Sequence, residues 1–97
     1  MSFEVRLTAE FAAWLDGLTD EIAAAAVAER LLRVRRGLFG DHASAGDRVS
    51  ELRIHHSAGF RAYYTNRDRV VVFMLVGGTK RTQKRDVQRA KMIESEL

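Results

Sequence analysis

Glu51-Leu52-Arg53-Ile54-His55 and Phe60-Arg61-Ala62-Tyr63-Tyr64 alternate polar with apolar side chains, the period-two pattern of strands that bury one face. If Leu52 and Ile54 point into a core, Glu51, Arg53 and His55 point the other way. By the same parity Phe60, Ala62 and Tyr64 take the core side of the next strand, leaving Arg61, Tyr63 and Thr65 outward. Arg53, His55, Arg61 and Tyr63 then share an open face, with cross-strand neighbours about 5 Å apart and diagonal ones about 7 to 8 Å. Such a face suits an RNA backbone. Arginines hold a phosphodiester through bidentate, permanently charged contacts. Histidine is the side-chain type that exchanges protons near neutral pH, which makes His55 the candidate general base or acid. Tyr63 either stacks on a base or, surrounded by cations, ionises to act itself. The same residues also read as a solvated sheet face with ion pairs such as Glu51 to Arg61.

A second cationic group follows the Gly77-Gly78 pair, which is expected to end a buried strand in a sharp turn. Lys80, Arg81, Lys84 and Arg85, with Gln83 among them, arrive at the start of a helix; Arg81, Gln83, Lys84 and Arg85 are the candidate RNA-binding residues and Lys80 a catalytic candidate. Cations in a first helical turn oppose the helix dipole by about 0.3 to 1 kcal/mol each, and only Asp86 offsets them, so an anion bound there would make sense of the placement. No His, Asp or Glu spacing matches a metal site, and there is no nucleophile elbow, phosphate-cradling glycine loop or close carboxylate pair. His42 and His56 carry little weight, since adjacent histidines in a strand project to opposite faces. The expectation is chemistry without metal or other cofactor.

The elements that must position these groups are legible along the chain. Phe3 to Leu7 reads as a strand, Thr8 as the N-cap of a helix running toward Leu18, and Asp20 as the start of a second helix to about Arg36, with Gly37 as terminator. Phe11, Trp14, Leu15 and Leu18 form one buried stripe; Ile22, Ala23, Ala26, Val27, Arg30, Leu31 and Val34 form the other. Residues 40–46 read as a connecting loop. Strands are expected at about 49–55, 59–66 and 69–76, joined by Ser57-Ala58-Gly59 and Asn66-Arg67-Asp68, and such short joins make them antiparallel neighbours. Val70 to Val76 does not alternate, which implies a strand covered on both faces. A last helix spans about 82–96. The order βααβββα gives an α+β fold: a small antiparallel sheet, mixed at its first strand, with an N-terminal helical hairpin on one face and a C-terminal helix.

Composition narrows the function classes. The 97 residues, 46% apolar and 30% charged without proline, make one domain spanning 1–97. The absence of cysteine removes disulfides and thiolate chemistry, which together with the lack of a leader or an apolar run of spanning length points to the cytoplasm. The net charge of +3 is uneven: residues 1–48 hold six Lys/Arg against eight Asp/Glu, residues 49–97 ten against five. An anionic partner at the C-terminal half is implied.

Ser50-Glu51-Leu52-Arg53-Ile54, Gly59-Phe60-Arg61-Ala62-Tyr63-Tyr64 and Gly77-Gly78-Thr79-Lys80-Arg81-Thr82-Gln83, followed by Asp86-Val87-Gln88-Arg89-Ala90, resemble the RelE/ParE toxin superfamily, and among its branches the HigB-like addiction module killer proteins. The resemblance covers nearly the whole chain. It implies the toxin of a type II toxin-antitoxin pair, a metal-independent, ribosome-dependent endoribonuclease that cuts mRNA and blocks translation. The partners it implies are a helix-turn-helix antitoxin, bound in a heteromeric complex, and the ribosome with its message. The matching positions are Arg53, His55, Arg61 and Lys80, with Arg81 as the alternative to Lys80. The final helix lacks the tyrosine of the RelE pattern, a place that Tyr63 could fill from the sheet. A ParE-like gyrase inhibitor and a catalytically degenerate antitoxin-binding module are the alternative readings.

Overall fold

The computed structural model describes residues 2–57 and 59–97. Its elements are β1 (Glu4–Leu7), α1 (Ala9–Asp16), α2 (Glu21–Arg35), β2 (His42–Gly46), β3 (Val49–Ile54), β4 (Phe60–Arg67), β5 (Val71–Thr79), a 3₁₀ turn (Lys80–Thr82) and α3 (Gln83–Ser95). The five strands form one sheet in the order β1-β5-β4-β3-β2. β1 runs parallel to β5, and the other neighbours are antiparallel, so the sheet is mixed at its first strand as expected.

Local chemistry fixes the helix starts. The Thr8 hydroxyl accepts from Phe11 N at 3.0 Å, and Asp20 Oδ1 accepts from Ile22 N and Ala23 N at 3.0 and 3.1 Å, satisfying amides that no helical carbonyl can reach. Gly37, at φ +84°, closes α2 while the next amide, Leu38 N, donates back to Arg33 O at 2.9 Å. α1 and α2 cover one face of the sheet, where Phe11, Val27, Val34, Leu52, Ile54, Ala62, Tyr64, Val72 and Met74 make the larger core. Ile22, expected in the buried stripe, is 69% exposed at the open end of α2.

Further departures from the sequence reading concern the sheet. Residues 42–46, expected as loop, form an edge strand: Ala43 and Ala45 turn partly inward and His42, Ser44 and Gly46 outward. The alternation is present there at the scale of alanine, too weak to register as an apolar pattern, and pairing with β3 supplies the rest. The two-residue turn into β3 places Asp47 and Arg48 at φ +50° and +66°, the left-handed geometry that a tight hairpin requires. Ala58, in the join between β3 and β4, lies outside the described residues.

Another departure concerns the face expected to be open. α3 lies across it, and Val49, Tyr63, Leu75, Val76 and Ala90 form a second, smaller core beneath the helix. β5 is therefore covered on both faces, as its unbroken apolar run implies. Gly77-Gly78 does not turn the chain; β5 continues to Thr79. The pair instead makes room. A Cβ on Gly77 would lie 2.2 Å from the Trp14 ring on the α1 side, and one on Gly78 would lie 1.9 Å from Asp86 Oδ2 on the α3 side. Alanine at Gly78 is expected to lower unfolding stability by about 1 to 3 kcal/mol, since a buried carboxylate must move. Urea denaturation measures it, and an unchanged midpoint would show that α3 yields without cost.

Candidate functional site

Strand pairing brings the candidate residues together in rows. Arg53 is directly opposite Arg61, and Glu51 is opposite Tyr63. Arg61 is in turn opposite Gly78 and Phe60 opposite Thr79. One residue further along the same register, Lys80 N donates to Gly59 O at 3.1 Å, at the end of the sheet where β3 gives way to His55. Arg53 and Arg61 thus share one face, the face that α3 partly covers.

A buried carboxylate organises that face. The Glu51 side chain is 5% exposed, and its Oε1 accepts from Arg53 Nη2 at 3.2 Å and Nε at 3.4 Å. Its Oε2 accepts from Gln83 Nε2 at 3.2 Å and lies 3.6 Å from Arg61 Nη1, in ion-pair range but too long for a hydrogen bond. Gln83, expected to contact RNA, is thereby engaged in holding α3 to β3. Like charges directly opposite each other in a sheet repel, so Glu51 is the group that lets two arginines sit side by side.

Exposure separates the candidates. The Arg53 side chain is 39% exposed and His55 75%, whereas Arg61 is only 14% exposed because α3 lies over it. Tyr63 is wholly buried, contrary to the expectation of an open-face tyrosine. Burial pushes its hydroxyl well above the ordinary tyrosine range, and the carboxylates of Glu51 and Asp86 push it further against the smaller opposing effect of Arg61. Neither stacking on a nucleobase nor ionisation is open to it in this arrangement. Lys80, Arg81, Lys84 and Arg85 are exposed. Arg81, Thr82, Lys84, Arg85 and Gln88 line a shallow depression of about 510 Å³ on the surface of the α3 N-terminus.

Asp41 is the neighbour of His55 and Arg53 that the sequence pattern does not reveal. Its Oδ2 lies 2.6 Å from His55 Nε2 and its Oδ1 3.9 Å from Arg53 Nη1, joining Arg61, Glu51, Arg53, Asp41 and His55 in one line of charge. The hydrogen bond to His55 holds the Asp41 carboxyl below the ordinary carboxylate range, with Arg53 and Arg30 helping. No periodic signal marks a single aspartate between Gly40 and β2. Among the described residues no group of three or more His, Asp or Glu is placed to hold a metal ion, and no helix is long and apolar enough to cross a membrane.

Residues 13–97 match the model of the phage-derived Gp49-like protein family (DUF891). The chain belongs to the Gp49-like family. A relative from Haemophilus influenzae, described as an uncharacterized protein, is 38% identical over 97 residues, covering 100% of this chain and 98% of its own. Among solved structures, an arginine-to-alanine double mutant of the E. coli toxin RelE in the free state aligns with a TM-score of 0.74 at 15% identity. The alignment covers 97% of this chain and 98% of the RelE chain. The Gp49-like chain therefore has a RelE-like α+β fold.

Three outcomes are expected from this geometry. Glu51→Ala should cost about 3 kcal/mol of unfolding stability by leaving enclosed guanidinium charge unpaired. Tyr63→Phe should change stability by less than about 1 kcal/mol, because the buried Tyr63 hydroxyl has no hydrogen-bond partner among the described residues. Chemical denaturation distinguishes the two. In an NMR titration Asp41 should ionise below its ordinary value of 3.8, and His55→Ala should return it upward. A carboxyl with a depressed folded pKa adds stability above the unfolded value and loses it as pH falls through the folded one, so the contribution of Asp41 ionisation is lost in that acid window.

Proposed function

We propose that this Gp49-like chain is the toxin of a type II toxin-antitoxin pair, a metal-independent, ribosome-dependent mRNA endoribonuclease of HigB-like type that blocks translation in the cytoplasm. The observation that carries the reading is the direct pairing of Arg53 with Arg61 on one face, beside the row that leads to Lys80 and His55. Two adjacent guanidinium groups with one shared interior carboxylate leave a surplus of positive charge at the surface. Lys80, Arg81, Lys84 and Arg85 extend it across the N-terminus of α3. A phosphodiester is the ligand that such an array suits.

The reaction is attack by the substrate's own 2′-hydroxyl on the adjoining phosphorus. The P–O2′ bond forms, the P–O5′ bond breaks, the 2′-hydroxyl proton passes to a base and the departing O5′ takes up a proton. The products are a 2′,3′-cyclic phosphate and a 5′-hydroxyl. Arg53 and the exposed part of Arg61 stabilise the extra negative charge of the transition state. His55 carries the proton, and Lys80 or Arg81 attends the leaving oxygen. The message is held in the ribosome, which supplies most of the alignment and makes a shallow site sufficient. A helix-turn-helix antitoxin binds the toxin in a heteromeric complex, with the exposed edges of β1 and β2 available for strand addition.

Induced expression tests the reading. Wild-type chain should arrest growth and create new mRNA ends at codon positions, whereas Arg53→Ala and Lys80→Ala should each reduce cleavage by roughly 100-fold while remaining folded. Lys80 is the more informative of the two, because Arg53 and Arg61 both offset the enclosed Glu51 carboxylate and their removal is coupled to stability, which chemical denaturation of the Arg53→Ala variant reads separately. Intact messages with DNA-damage signalling would replace cleavage by gyrase inhibition. A folded chain with neither effect would leave an antitoxin-binding module.

A further inference from the structure

Arg30 stands in the middle of the inward stripe of α2, a position that a helix packed on a sheet ordinarily gives to an apolar residue. Its guanidinium is a carbonyl clamp. Nη1 donates to Phe39 O and to Asp41 O at 3.3 Å each, and Nη2 donates to Arg53 O at 2.9 Å. Arg53 N donates to Asp41 O at 2.9 Å, closing the same ring of contacts from the strand side. Gly40, at φ +71°, lies against the clamp, where a Cβ would approach the Arg30 guanidinium to 3.3 Å. A surface loop residue has thus been tied to the end of β3 through its backbone by two different elements.

The residue so tied is Asp41, and its carboxylate meets His55 Nε2 at 2.6 Å. A carboxylate accepts and cannot donate, so the ring nitrogen facing it carries a proton. The other nitrogen, Nδ1, then faces away from Asp41 with its lone pair available in the neutral imidazole. The remaining charged groups around the pair are Arg53, 3.9 Å from the second carboxylate oxygen, and Arg30 behind the loop. Both are permanently cationic and do not compete for the proton.

We propose that Asp41, held by the Arg30 clamp, is the positioning residue for His55, fixing the Nε2–H tautomer so that Nδ1 is the atom that accepts the 2′-hydroxyl proton. The proposal rests on the endoribonuclease reading. In it, the proton leaves the 2′-oxygen for Nδ1 as the P–O2′ bond forms, and the resulting imidazolium is stabilised by the Asp41 carboxylate.

Two measurements on the full chain test it. Nitrogen-15 NMR of histidine-labelled wild type should show neutral His55 protonated at Nε2, and Asp41→Asn should lose that preference while the amide spectrum stays that of the folded protein. In single-turnover cleavage on programmed ribosomes, Asp41→Asn should lower the maximal rate roughly 100-fold, with the half-saturating concentration within about twofold of wild type. Asp41→Glu should recover part of the loss, and adding Asp41→Asn to His55→Ala should cost nothing further. Wild-type rates in Asp41→Asn, an additive double variant or a wild-type Nδ1–H tautomer would each overturn the role of Asp41. Absence of cleavage by the wild type would overturn the endoribonuclease reading itself, and the proton-transfer role with it.

Discussion

Two guanidinium groups set opposite each other on neighbouring strands repel, and the rest of the candidate face depends on the carboxylate that offsets them. Glu51 sits 5% exposed between Arg53, Arg61 and Gln83. A buried ion pair adds little net stability, yet removing one partner leaves a charge that the interior cannot solvate. Glu51 is therefore better understood as a spacer that fixes where the positive charge lies. It directs Arg53 toward Asp41 and the solvent while Arg61 remains under α3.

The docking of α3 follows the same logic. The helix buries two of its own carboxylates at 7% and 2% exposure. Asp86 accepts from Thr82 Oγ1 at 2.5 Å, and Glu94 from Arg67 Nη2 at 2.7 Å. Val87, Ala90 and Ile93 supply the helix's apolar contact with the sheet. Glu94 with Arg67 of β4 and Gln83 with Glu51 of β3 tie the two ends of the helix to the sheet, while the Asp86–Thr82 contact closes the helix's own first turn.

Strand parity was fully legible from residues 51–64, because apolar alternation over two strands leaves a single way to face a core. The placement of Arg53 and Arg61 on one face follows from it. What parity cannot state is which second layer covers the other face. The last helix carries an apolar stripe of Val87, Ala90, Ile93 and Leu97, which fits docking on a sheet, but nothing in that spacing says which face it covers, so the second face reads as open. The enclosure of Tyr63 follows from the docking of α3 on that face. β2 leaves little trace in the sequence because Ala43 and Ala45 are too small to signal a strand, and the place of Asp41 is set by carbonyl contacts from Arg30, which leave no spacing to read.

At the far end of β5 the partition between the two halves of the molecule is one peptide thick. Trp14 presses on it from one side and Asp86 from the other, with nothing but hydrogen atoms on the α-carbons of Gly77 and Gly78 between them. The strand has no slack there with which to absorb a bulkier neighbour. Any remodelling of either helix in that region has to be met by displacement of the helix, so two of the smallest side groups in the chain set the gauge of the whole assembly.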